Sequence, residues 1–133
     1  MKTVLFACVH NAGRSQMAAA LFNSLADPAK ARAVSAGTNP GPAVHPEVVT
    51  VMNELGIDLS TATTTKLTPE LAATTGMLIT MGCGDACPYV PGAIREDWPL
   101  EDPKGKSIDT VRSIREDIQY RVESLIDREN WSA

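Results

Sequence analysis

Cys8-Val9-His10-Asn11-Ala12-Gly13-Arg14-Ser15 follows the apolar run Val4-Leu5-Phe6-Ala7 and precedes Gln16-Met17-Ala18-Ala19-Ala20-Leu21-Phe22. The order is strand, tight loop, helix start. A loop of this kind gathers backbone N–H groups at the positive end of a helix dipole and forms a cradle for an anion. The candidate donors are the N–H groups of Val9, His10, Asn11, Ala12, Gly13 and Arg14. Arg14 adds a planar fork that matches two oxygens of a tetrahedral oxyanion. Cys8 stands at the mouth, where the same field favours a thiolate, and a thiolate against a bound oxyanion is a nucleophile in place. The spacing Cys-x5-Arg alone says little. The strand before it, and the Ser and helix after it, set it apart from a structural cysteine followed by a solvated arginine.

Working outward, residues 3–7 read as a buried strand and residues 15–26 as a helix with Met17, Leu21, Phe22 and Leu25 on its apolar stripe. Asp27-Pro28 stops it. Residues 32–36 read as a second strand, and the turn-rich run Gly37 to Pro42 follows it. His45-Pro46-Glu47 opens a second helix with Val48, Val49, Met52 and Leu55 inward and Gly56 as its cap. Thr68 caps a short third helix that ends near Thr75. Residues 76–81 form a third strand, 82–92 a loop, and 93–98 a short fourth strand. Residues 107–128 form a long helix with Ile108, Val111, Ile114, Ile118, Val122, Leu125 and Ile126 toward the core, and 129–133 fray. Alternating strands and helices imply an α/β fold with a parallel sheet covered on both faces, in a single domain over 1–133.

The composition excludes several classes. The chain has 133 residues, 44% hydrophobic and 21% charged, with a net charge of −4, so no basic footprint for nucleic acid is present. No apolar run reaches the ~20 residues of a membrane span, and no signal peptide is visible. The chain is expected in the cytoplasm. Three cysteines in a reducing compartment fit exchanging thiols better than a fixed framework.

Two further groups carry chemistry. Cys83-Gly84-Asp85-Ala86-Cys87 sits in the Gly-flanked loop, where the two thiols can pair, stay unrelated, or offer two legs of a metal site. His10 and His45 are the only histidines available to complete such a site, and no metal is expected. Asp102-Pro103 is either a plain turn or a rim carboxyl able to protonate a leaving oxygen. Asn11 suits a left-handed position and can hold the loop with its amide. Gly13 is read as the residue that lets the loop turn tightly. His10 is not assigned as a base.

With these elements placed, the sequence resembles the arsenate reductases built on the low-molecular-weight tyrosine phosphatase fold. The residues that carry the likeness are Cys8 through Ala18, Ser35-Ala36-Gly37-Thr38, His45-Pro46, Thr80-Met81-Gly82-Cys83, Trp98 and Glu101-Asp102-Pro103. The resemblance implies a three-layer α/β/α domain around a central, mainly parallel four-stranded sheet. It implies that arsenate binds in the loop under Arg14, where phosphate or sulfate can also lodge. Cys8 attacks arsenic, Ser15 steadies the thiolate and Asp102 protonates the departing oxygen. Cys83 and then Cys87 carry the resulting disulfide to the surface. No bound cofactor is implied. The reductant is external: thioredoxin, as in the most similar branch, or a low-molecular-weight thiol with a glutaredoxin-like protein. The Cys83–Cys87 spacing is shorter than in thioredoxin-coupled members, and Ala19 replaces a Glu that helps some relatives hold potassium. The competing readings are a phosphatase working through a phosphocysteine, for which Cys83 and Cys87 would be dispensable, and a non-enzymatic oxyanion or redox sensor.

Overall fold

A computed structural model describes residues 2–82 and 94–132. Its centre is β1 (Lys2–Cys8), whose residues Val4–Cys8 are all buried, as a strand covered on both faces requires. The other strands are β2 (Ala31–Gly37), β3 (Met77–Thr80) and β4 (Ile94–Asp97). The sheet order is β2-β1-β3-β4 and every pair is parallel. The expected four-stranded sheet is therefore present, wholly rather than mainly parallel among the described residues.

The helices are α1 (Arg14–Leu25), α2 (Pro46–Asn53), α3 (Pro69–Ala73) and α4 (Ile108–Glu129). Alternate strand residues sort to the two faces. Val4, Phe6, Met77 and Ile79 pack with α1, α2 and α4, and Phe6 meets Phe22 and Trp98 at ring-centre distances of 6.1 and 5.5 Å. Leu5, Ala7, Ala36 and Leu78 pack with Leu67 and with Ala72 of α3. Among the described residues, α3 and the loop residues Leu67 and Val9 cover this second face. The chain passes from β1 to β2 on one side and returns to β3 on the other. The carboxyl end of β1 is then the point where strand order reverses, the place where such sheets bind ligands.

Several details differ from the sequence reading. Leu25 and Leu55 are exposed. Val51 takes the inward place on α2, because the helix ends at Asn53 and leaves Leu55 beyond it. α3 stops at Ala73, and Thr74 and Thr75 give their hydroxyl protons to Leu71 O and Ala72 O. Residues 129–132 do not fray. Asn130 closes α4 in the left-handed conformation (φ 62°) and turns the chain back. Trp131 then lies buried on Phe22, and its carbonyl accepts from Asp27 N at 2.8 Å.

An ion-pair cluster ties α2 to α4. The Glu54 carboxylate accepts from Arg112 Nε and Nη2 at 3.0 and 2.7 Å and from Arg115 Nη1 at 2.8 Å. The Arg112 hydrogen bonds, then those of Arg115, hold its carboxyl down from 4.5 to about 2. The folded form thus keeps the charge that the unfolded chain loses first. The stabilisation is complete above the unfolded value and disappears as pH falls through about 2. Glu54→Gln is expected to lower the urea midpoint at neutral pH, with the gap from wild type closing as pH drops across that window. A gap independent of pH would rule out this linkage.

Candidate active site

The loop between β1 and α1 is shaped by where its carbonyls go. Cys8 O accepts from Thr38 N (3.1 Å), Val9 O from Asn39 N (2.8 Å), His10 O from Gly41 N (2.9 Å) and Ala12 O from His45 N (2.9 Å). A trans peptide sets each N–H opposite the carbonyl that precedes it. The N–H groups of Val9, His10, Asn11 and Gly13 therefore point away from the 38–45 segment, into the loop. Gly37 makes this possible: a Cβ there would lie 2.6 Å from Val9 O and 2.8 Å from Asn11 N.

Cys8 is buried, and its Sγ lies 2.9 Å from Ser15 Oγ on the first turn of α1. Ser15 Oγ accepts from Asn11 Nδ2 at 2.7 Å. Asn11 has φ 51°, the left-handed position its residue type suits, and its Oδ1 accepts from Thr65 N at 2.9 Å and Gln16 Nε2 at 3.2 Å. Gln16 Nε2 also donates to Thr63 O at 3.0 Å. A buried polar group costs stability unless it is paired, and this chain of bonds pairs the buried side chains under the nucleophile.

Arg14 closes the other side. Its side chain is almost wholly buried, with Nη1 donating to Leu100 O at 3.2 Å and Nη2 lying 3.8 Å from Asp102 Oδ2. Asp102 is half-exposed, and its Oδ1 accepts from Lys104 N at 3.0 Å, so the turn reading and the rim position hold together. Pro103 is buried against Gly13, where an added Cβ would meet Pro103 Cγ at 2.6 Å. Gly13 stands where the loop turns into α1, with φ −147°, and its missing side chain also seats the Asp102-Pro103 loop. Gly82, just past β3, has φ +91° and no room for a Cβ beside Arg14 Nη1.

The structure thus brings together Cys8, Arg14, Ser15 and Asp102 with the backbone of Val9 to Gly13. Cys83 and Cys87 lie outside the described residues. His10 is partly exposed and lines a cleft of about 460 Å³ beside the loop, with His45, Val44 and Lys104. Sequence reasoning assigned no role to Gln16, Thr65 or Leu100. Their contacts cross 47, 54 and 86 positions of chain; Gln16 lies in the stretch that carries the family likeness, while no local pattern marks Thr65 or Leu100.

The family model described as low molecular weight phosphotyrosine protein phosphatase matches residues 3–130. The chain is similar to a putative arsenate reductase of Halobacterium salinarum, 38% identical over 131 residues, covering 94% of this chain and 91% of that protein. It is equally similar to the glutaredoxin arsenate reductase of Synechocystis, 38% identical over 129 residues, covering 95% and 97%. Among solved structures it superposes on the Corynebacterium glutamicum thioredoxin-dependent arsenate reductase with a TM-score of 0.83 and 38% identity. That match covers 96% of this chain and 61% of the other.

A methyl group at residue 82 would strain a left-handed backbone and push the guanidinium of Arg14 from its seat. Gly82→Ala is expected to weaken the binding of inorganic phosphate by about ten- to a hundredfold, the worth of charge-assisted hydrogen bonds, in a chain that still folds. Calorimetric titration tests this. Unaltered affinity would mean that Arg14 finds its position without Gly82.

Proposed function

The chain belongs to the low molecular weight phosphotyrosine protein phosphatase family, and on that premise we propose that it reduces arsenate to arsenite in arsenic detoxification, with Cys8 as nucleophile. The observation that carries the reading is the placement of a buried cysteine in a ring of inward N–H groups, between the Ser15 hydroxyl and the Arg14 fork. Relatives at 38% identity named as arsenate reductases favour a reductase over a phosphatase. So does the Cys83–Cys87 pair, which phosphate ester hydrolysis does not require.

Arsenate enters the loop and its oxygens take the N–H groups and Arg14. The Cys8 thiolate, holding the Ser15 proton in a hydrogen bond, attacks arsenic. Asp102 gives a proton to the departing oxygen, which leaves as water. The Cys83 thiolate attacks the Cys8 sulfur, the S–As bond breaks, and its electron pair reduces arsenic from the +5 to the +3 state. Arsenite leaves behind a Cys8–Cys83 disulfide. Cys87 attacks Cys83, frees Cys8 and holds the Cys83–Cys87 disulfide for an external thiol donor. Gly82, the residue before Cys83 in sequence, lies against Arg14. The donor is thioredoxin, or a low-molecular-weight thiol with a glutaredoxin-like protein, and either places the reaction in the reducing cytoplasm.

The decisive assay is arsenate-dependent NADPH oxidation with each donor system, on wild type and on Cys8→Ser, Cys83→Ser, Cys87→Ser and Asp102→Asn. Cys8→Ser should be inert. Cys83→Ser and Cys87→Ser should not turn over repeatedly with thioredoxin. Asp102→Asn should be slower by roughly 10²–10⁴-fold, the usual worth of a positioned acid. Full multiple turnover by Cys83→Ser would overturn the relay. Inactivity on arsenate together with rapid aryl-phosphate hydrolysis would give the chain to the phosphatases.

A further inference from the structure

The polar side chains beneath Cys8 form a hydrogen-bond chain with a fixed direction. Its origin is the backbone N–H of Thr65, which can only donate, and which meets Asn11 Oδ1 at 2.9 Å. The oxygen of the Asn11 amide is thereby fixed on that side, and its NH₂ faces Ser15 Oγ at 2.7 Å. Ser15 Oγ must accept there, so its single proton is left for Cys8 Sγ, 2.9 Å away. A sulfur offered a proton is best satisfied as the thiolate.

The N–H that starts the chain belongs to an exposed loop, since Thr63, Thr65 and Lys66 are all exposed. Backbone bonds tie it to the end of β2, with Gly37 N donating to Thr65 O at 2.9 Å and Leu67 N to Gly37 O at 2.8 Å, and Thr64 Oγ1 donates to Gly41 O at 2.7 Å. Gln16 joins the same segment to the loop beneath Cys8 from the side of α1. It is buried on the first turn of α1. Thr63 O can only accept, which orients the Gln16 amide so that Nε2 points to it at 3.0 Å. The same NH₂ reaches Asn11 Oδ1 at 3.2 Å. Gln16 thus clasps the 63–65 segment and adds a second donor to the oxygen that sets the direction.

We propose that Gln16 is a positioning residue for Cys8, which fixes through Asn11 the direction in which the Ser15 hydroxyl gives its proton. Gln16 touches neither sulfur nor oxyanion and acts only through the two residues between. The proposal rests on Cys8 being the nucleophile and not on which oxyanion it attacks.

The test uses the full chain with Cys83→Ser and Cys87→Ser, which leaves Cys8 as the one thiol, and follows its alkylation by iodoacetamide across pH. Gln16→Met keeps the volume and removes the donor. Its alkylation rate at mildly acidic pH should fall about three- to tenfold, the effect of one misdirected hydrogen bond, while the plateau rate in alkali stays the same. The charged and titratable groups around the loop, namely Arg14, Asp102, His10, His45 and Lys104, are the same in both proteins. Adding Ser15→Ala must abolish the difference, because the link through which Gln16 acts is then gone. If Gln16→Met does not fold, Gln16→Leu, which stays neutral and cannot donate to either oxygen, carries the same expectation. An alkylation profile identical to that of the parent protein would overturn the proposal. So would a shift that persists in full with Ser15→Ala. Arsenate turnover is not read, so failure of the reductase assignment and failure of this proposal are separate results.

Discussion

The site depends on one constraint: the carbonyls of residues 8, 9, 10 and 12 are all bonded to the backbone that continues from β2. A free loop of this length would let its peptides rotate and would present a mixture of donors and acceptors to an anion. Tying these four carbonyls outward turns the N–H groups of Val9, His10, Asn11 and Gly13 inward, at no further cost when the anion arrives. The order of the sheet supplies the tie. β2 lies beside β1 in parallel register, with Cys8 opposite Gly37, so the segment leaving β2 runs alongside the loop leaving β1. The requirement for glycine at 37 follows, since the two backbones approach too closely for a Cβ.

From that point the support divides in two. The rear, made by Asn11, Ser15, Gln16 and the 63–65 segment, orients the sulfur. The rim, made by Gly82, Leu100, Asp102 and Pro103, seats Arg14. Both arise from loops at the carboxyl ends of strands or from the segments that follow them. Among the described residues α1 connects the two, carrying Arg14, Ser15 and Gln16 on one turn. The side chain at 14 faces the rim and those at 15 and 16 face the rear, which is why three adjacent polar residues can all be buried at the start of a helix.

The strand, loop and helix around Cys8 could be read from the sequence because each lies within a few residues of the next. Binary pattern and turn chemistry agree there. The long helix was legible for the same reason, its seven inward positions repeating at helical spacing. What could not be read depends on distant partners. That Gly13 also makes room for Pro103 shows only when the two loops are packed together. Trp131 looks like part of a loose end until Asn130 reverses the chain and sets it on Phe22. Gln16 looks like an ordinary helix former until Thr63 arrives from 47 residues away. Periodicity reports which face of an element is apolar, not which distant loop will need its polar group.

The rear support contains no charge, and this bears on how the rim works. Asn11, Ser15, Gln16 and the backbone of Thr63 and Thr65 are all neutral, so the field at Cys8 comes from the N–H groups, the helix start and Arg14. Arg14 is anchored by a carbonyl, Leu100 O at 3.2 Å, and only loosely paired with a carboxylate at 3.8 Å. Asp102 is half-exposed, so its pairing with Arg14 contributes little and is easily exchanged. An arriving oxyanion can therefore take the guanidinium from Asp102 without moving it. The displaced carboxyl stays at the rim, held through Lys104 N and the packing of Pro103 on Gly13. In the mechanism proposed above, an anion bound in this way leaves the Asp102 carboxyl at the rim beside the departing oxygen, while Cys8 on the opposite side of the loop keeps its hydrogen bond to Ser15.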